Sequence, residues 1–274
     1  MNKNIYKWQS PTWDALRSRQ SRLPHALLVS GPAGLGKSFL AELFAQLLFC
    51  QSPENGFPCH KCQACGWFEM GNHPDFRLVQ PESMAPEIDE QPPRKERKKS
   101  EQIRIEQIRD LEVFLSVGTH RGGFRVVVID PADTMNIITQ NALLKSLEEP
   151  GPSTLFLLVT SRPQQLLPTI RSRCQGITAS RPARELAVQW LREQGIAQPE
   201  AALAAAAGAP LAAAAMAQWA DSKDTLIAQL SKPAFDPLGL AQVCEAFEPA
   251  LVVSWMQRWT YDLLHLRATG VVRY

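Results

Sequence analysis

Two groups of residues in this chain have the types and spacing to do chemistry. Residues 31–38 read GPAGLGKS, which sets Gly31, Gly34, Gly36, Lys37 and Ser38 in the pattern G-x-x-x-x-G-K-S. Glycines in that pattern let backbone N–H groups approach phosphates, the lysine reaches the β- and γ-phosphates, and the serine hydroxyl ligates Mg²⁺. A helix starting at the lysine adds its N-terminal dipole. The stretch is read as a site for ATP with Mg²⁺, against the alternative of a fortuitous glycine turn.

The second group is Cys50, Cys59, Cys62 and Cys65, spaced C-x8-C-x2-C-x2-C. Four thiolates this close suit a closed tetrahedral zinc site, structural because no coordination position stays open. Disulfides are the alternative, disfavoured in a chain with no export signal. A redox C-x-x-C pair is another. His60 and His73 lie near enough to replace a ligand and are read as bystanders, while Cys174 and Cys244 stand alone as packing residues.

Downstream, residues 126–133 read VVVIDPAD. Asp130 at the end of that apolar run fits the second acid of a phosphate-loop site, holding the Mg²⁺ shell from a neighbouring strand. A cap or turn residue is the alternative. Pro131 stands where a hydrolysing enzyme would usually carry a glutamate, and it offers no carboxylate to activate water. Asp133 is a possible substitute, as well placed to cap the following helix. The pattern favours holding ATP over burning it.

These residues need elements to position them. HALLVSG (25–31), then SFLAELFAQLLFC (38–50) with apolar residues at 40, 43, 44, 47 and 48, predicts strand, loop and amphipathic helix. A cysteine-rich turn is expected over 50–65, a short strand at FRLVQP (76–81), and a mobile loop over 82–102, where proline and charge dominate. The run RKERKK inside it is read as solvated rather than as a DNA contact. A helix follows over 103–115, then the strand FRVVVID (124–130), a helix over 136–150 stopped by Pro150, and the strand TLFLLVTS (154–161). Alternating helices and apolar strands predict an α/β fold with a parallel sheet covered on both faces. After about residue 180 alanine dominates and helices alone are expected: one over 183–194 capped by Gly195, two more broken at Gly208–Pro210, and a helical region from about Thr225.

The totals agree with this division. At 274 residues the chain is near the ~250–300 at which one core stops growing, so two or three units are expected. With 45% hydrophobic and 20% charged residues the composition is that of a soluble globular protein, and a net charge of +2 does not announce a nucleic-acid binder. No signal peptide is read at the N-terminus and no apolar run nears the ~18 residues of a membrane helix, so the expected setting is the cytoplasm. The last helices look few for an independent core, so the C-terminal domain is expected to be incomplete.

GPAGLGKS, the four cysteines straight after its helix, NALLKSLEEP, LLVTS and then RSRC (171–174) occur here in one order. Together, over residues ~5–220, they resemble the AAA+ subunits of the bacterial replicative clamp loader, which opens the sliding clamp for DNA polymerase III. The resemblance implies an AAA+ domain over 1–180, a helical lid over 181–221 and a helical collar beginning at 222. It implies the partners too: motor (gamma/tau) subunits, a delta subunit, the clamp indirectly, and primed DNA within the assembly. Pro131, Leu211 near the place of a motor's nucleotide-sensing arginine, and the lack of any arginine between Arg192 and Arg258 look like the family's stator rather than its motors. The phosphate loop departs from that branch, being intact where its best-known stators carry a degenerate one.

By the same resemblance Arg173 is an arginine finger acting in a neighbour's ATP site, with a plain surface arginine as the alternative. Thr160 takes the place of the first sensor, able to bond a γ-phosphate or water, or is simply an interior strand residue. Lys145 is a weak candidate for touching the DNA backbone, a solvated lysine otherwise. The implied chain is a component of the DNA polymerase III holoenzyme with no polymerase chemistry and no ATP hydrolysis of its own. Two rival readings are a hydrolysing motor subunit of the same machine and a free-standing zinc-bearing, ATP-switched DNA-binding protein.

Overall fold

The computed structural model describes residues 5–85, 99–116, 118–119, 123–231 and 236–270. The chain divides into two compact units, Met1–Ser180 and Arg181–Tyr274.

The first unit is built on five strands: β1 (Ala26–Ser30), β2 (Phe76–Val79), β3 (Arg125–Ile129), β4 (Thr154–Thr160) and β5 (Gln175–Thr178). They lie in the order β2-β3-β4-β1-β5, every neighbouring pair parallel. Side chains alternate across such a sheet. Leu27, Val29, Val126, Val128, Leu155, Leu157, Val159 and Ile177 therefore share one buried face, packed under α1 (Ser10–Arg17), α2 (Lys37–Phe49) and Phe68 of α3 (Gln63–Glu69). Ala26, Leu28, Val127, Ile129, Phe156 and Leu158 share the other. That face is covered by α4 (Ile105–Ser116), α5 (Ile137–Glu148) and α6 (Pro168–Arg173) through Ile108, Leu111, Leu143, Leu147 and Ile170. Both faces being buried explains why β3 and β4 read as unbroken apolar runs.

Two local expectations need correction, and a third, the loop over 82–102, is described only at its ends. The cysteine segment is not a turn throughout, because α3 begins at Gln63 and carries Cys65 in its first turn. The segment 82–102 is tied at its ends: Ser83 N–H donates to the Ser100 carbonyl (3.1 Å), and Arg104 pairs with Glu82 (2.9 Å). Its middle, with most of RKERKK, lies outside the described residues. The late helical region begins at Ala220 rather than near Thr225.

The second unit holds α7 (Arg184–Glu193), α8 (Pro199–Ala205), α9 (Pro210–Ala217), α10 (Ala220–Leu230), α11 (Pro237–Glu245) and α12 (Pro249–Thr269). Its apolar residues form two clusters. One joins Ala187, Val188, Leu191, Leu203 and Ala213 on α7 to α9, the other Leu226, Leu240, Val252 and Trp255 on α10 to α12. Among the described residues no single helix is long and apolar enough to cross a membrane.

Candidate nucleotide site and metal centre

In a parallel sheet the carboxyl ends of the strands open a crevice for ligands. Here Gly31 follows β1, Asp130 follows β3 and Ser161 follows β4, with Ser30 registered against Thr160. Gly34 (φ 76°) and Gly36 (φ 79°) take left-handed backbone, and Gly36 is the N-cap of α2. Upstream side chains brace the loop from outside. The Leu35 carbonyl accepts from Trp8 Nε1 (3.2 Å) and Gln9 Nε2 (2.9 Å), and the Gly36 carbonyl from Gln9 Nε2 (3.0 Å). Gly31 lies against the chain leaving the sheet, so close that a Cβ there would sit 2.3 Å from the Ala179 carbonyl oxygen.

Lys37 is buried, its Nζ donating to the Pro32 carbonyl (2.7 Å) and Ser161 Oγ (3.0 Å). Burial lowers its pKa, opposed by the charges of Asp130 and Asp133. A bound phosphate would replace these two acceptors and restore a full counter-charge. The Ser38 hydroxyl lies near the Asp130 carboxylate. Burial, helped by Asp133, raises the Asp130 pKa, while Ser38 and Lys37 oppose the rise. Hydroxyl and carboxylate thus meet where the loop lysine ends, which is the donor set that a nucleotide-bound Mg²⁺ uses.

Asp133 is not a helix cap. Asn136 caps α5, its side chain accepting from Thr139 N–H (2.9 Å). Asp133 instead sits in a short turn, Ala132–Thr134, that aims it back at the end of β4. Oδ1 accepts from Thr160 Oγ1 (2.6 Å) and Ser161 N–H (3.1 Å), and Oδ2 from Arg162 Nε (2.9 Å). Burial would raise its pKa, but these hydrogen bonds and the Arg162 charge together hold it below the ordinary carboxylate range. A carboxylate so saturated is a poor base.

The same bonds bear on Thr160. Its hydroxyl proton goes to Asp133 and its oxygen accepts from Arg162 N–H (3.0 Å), so donation to a γ-phosphate would require breaking the Asp133 bond. Removing Asp133 should therefore cost stability. Asp133→Ala leaves the buried Thr160 hydroxyl and Ser161 N–H without their acceptor, a loss of about 1–3 kcal/mol. Because the folded pKa is depressed, this stabilisation is present above the unfolded value of about 3.9 and disappears as pH falls through the folded one. Urea midpoints of wild type and variant should differ at pH 7 and converge in acid. A gap that persists at low pH would show that the carboxylate's charge is not what stabilises.

The four cysteines come together. Sγ atoms of Cys50, Cys59, Cys62 and Cys65 all lie within 4.8 Å of one another, against edges of about 3.8 Å for a tetrahedron with Zn–S bonds near 2.3 Å. Cys50 caps the C-terminus of α2. Backbone N–H groups already point at sulfur, Cys59 N–H to Cys50 Sγ (3.2 Å) and Cys62 N–H to Cys59 Sγ (3.3 Å). Donors of this kind favour thiolates, so the group can hold a metal ion and its all-sulfur set suits Zn²⁺. The histidines are engaged elsewhere, His60 Nδ1 with Glu69 Oε1 (2.6 Å) and His73 stacked on Phe49 (3.9 Å between ring centres). Phe57 stacks on Trp13 of α1 (5.1 Å), which fastens the cysteine segment to the sheet's covering layer.

Residues 9–182 match the family described as DNA polymerase III, delta subunit. The chain is 35% identical over 279 residues to the DNA polymerase III subunit delta' of Pseudomonas aeruginosa, covering 97% of this chain and 79% of that protein. It is 30% identical over 269 residues to the subunit delta' of Escherichia coli K12, covering 94% and 76%. The chain belongs to the DNA polymerase III delta-prime family. A shorter match, 36% over 153 residues, joins it to the DNA polymerase III subunit tau of E. coli K12, covering 56% of this chain and 21% of that protein. Its first unit carries the parallel sheet, with β1 between β4 and β5.

In this delta-prime chain Arg173 ends α6, far in sequence from the phosphate loop. Nη1 donates to the Thr169 carbonyl (3.0 Å) and Nη2 pairs with Glu148 Oε1 (2.5 Å). Lys145 is exposed on α5 and lies 3.8 Å from Glu112. Neither Gln9, which braces the loop, nor Glu148, which holds Arg173, is discernible from the sequence as a site residue. Each acts through a partner distant in sequence.

Proposed function

We propose that this chain is the delta-prime stator of a DNA polymerase III clamp loader, assisting ATP-dependent loading of the sliding clamp onto primed DNA. Residues 1–180 serve as the AAA+ domain, 181–221 as the lid and 222–274 as part of the collar. Lys37, Ser38 and Asp130 would hold ATP with Mg²⁺, and Cys50, Cys59, Cys62 and Cys65 one structural Zn²⁺. Arg173 would enter the ATP site of a neighbouring motor subunit, whose triphosphate supplies the energy. Lys145 is offered to the DNA backbone inside the ring, and the complex acts in the cytoplasm.

The observation that carries the stator reading is the pairing of Pro131 with a saturated Asp133: the position after Asp130 offers no carboxylate, and both oxygens of Asp133 are already engaged by hydrogen bonds. By the same resemblance Leu211, in the first turn of α9, stands near the place where a motor subunit carries its nucleotide-sensing arginine. The pure chain should bind Mg·ATP and lose binding on Lys37→Ala, while turnover stays at background. Titration with a fluorescent ATP analogue and a phosphate-release assay test this together. Steady turnover abolished by Lys37→Ala would make the chain a motor.

A further inference from the structure

We propose that α5 is the mount of the arginine finger, with Glu148 and Gln140 as positioning residues that set the aim of Arg173. The inference rests on the stator reading of Arg173 and adds to it the groups that make the finger competent. Two contacts carry it, one at each end of α6.

At the start of α6, the buried Gln140 uses its whole amide. Nε2 donates to the Met135 carbonyl (2.9 Å) and the Gln165 carbonyl (3.2 Å), while Oε1 accepts from Leu167 N–H (2.7 Å). Leu167 is the N-cap of α6, so Gln140 fixes where that helix begins. At the end of α6, Glu148 takes Nη2 of Arg173 while the Thr169 carbonyl takes Nη1. Gln140 and Glu148 lie on the same helix, two turns and a little apart, so one rigid element sets both the base and the tip of the finger.

An arginine side chain has many rotamers, and catalysis in trans needs the guanidinium waiting in one of them. Two anchored nitrogens leave the Nε edge and the outward N–H bonds to meet a phosphoryl group. The side chains of Arg173 and Glu148 are 34% and 49% exposed, and an ion pair that open contributes little to folding. Glu148 therefore matters to orientation rather than to the integrity of the chain.

The test uses clamp-loader complexes reconstituted with wild-type chain, Glu148→Ala, Glu148→Gln, Arg173→Ala and the double variant, compared at equal assembly. Single-turnover hydrolysis is followed across ATP concentration. Glu148→Ala should slow the affected interface about two- to fivefold, the span of an exposed ion pair, with half-saturation unchanged. Glu148→Gln, which keeps an acceptor, should recover part of the rate, and the double variant should match Arg173→Ala. If Arg173→Ala slows hydrolysis but Glu148→Ala equals or exceeds wild type, the positioning role is wrong. Losses from the two residues that add independently overturn it as well. If Arg173→Ala changes nothing, the finger reading fails first, and the mount falls with it.

Discussion

Replacing Arg173 by alanine is expected to leave ATP binding by this chain unchanged and to slow hydrolysis in the adjacent motor subunit. A guanidinium supplied in trans neutralises charge on the transferring phosphoryl group, and where measured in GTPases it is worth about 10³–10⁵ in rate. The loss should be confined to one interface of a ring with several ATP sites, so total turnover falls only partly. Arg173→Lys should rescue poorly, because an ammonium cannot reproduce the planar fork that now spans Thr169 and Glu148. Disabling this chain's own loop with Lys37→Ala should do the reverse and barely touch the assembled machine. Single-turnover hydrolysis and clamp loading in reconstituted complexes separate the two variants. Equal rates for wild type and Arg173→Ala would reduce Arg173 to a surface residue.

Loss of metal is the second large effect. Structural Zn²⁺ contributes about 10–16 kcal/mol of apparent binding free energy in small zinc-finger peptides. One zinc per chain is expected, and Cys62→Ser should remove it. The segment from Cys50 to Cys65 would then lose its shape while the strands keep theirs, since none of the five runs through it. The damage should reach α1 through the Trp13–Phe57 stack and α3 through Cys65 in its first turn. Metal analysis of reduced, chelator-free protein gives the stoichiometry, and hydrogen exchange locates the loosened region. Metal-free wild-type protein with a protected cysteine segment would contradict the assignment.

What could be read from the sequence follows how each feature is encoded. β1, β3 and β4 are buried on both faces and announce themselves as apolar runs, and the loop and cysteine motifs are local in spacing. β5 escapes because it is an edge strand, Gln-Gly-Ile-Thr, with only Ile177 buried. α1 is short and amphipathic over two turns, and α3 is seven residues placed behind cysteines that suggest a turn. The network around Asp133 was beyond reach for a different reason. Its donors come from Thr160, Ser161 and Arg162, which only the parallel pairing of β3 with β4 brings near.

The packing at Gly31 separates the history of the loop from its use. A side chain there would collide with Ala179 at the exit of the sheet, where Ala179 N–H also bonds the Ser30 carbonyl (2.7 Å). The cost of replacing Gly31 is set by that neighbour and is the same whether or not a triphosphate ever arrives. A lineage that stopped needing ATP could let Lys37 and Ser38 drift while still being held to this glycine. The first letter of the nucleotide signature is thus also an architectural constraint, and its presence alone dates nothing about when, or whether, the chain last used the ligand.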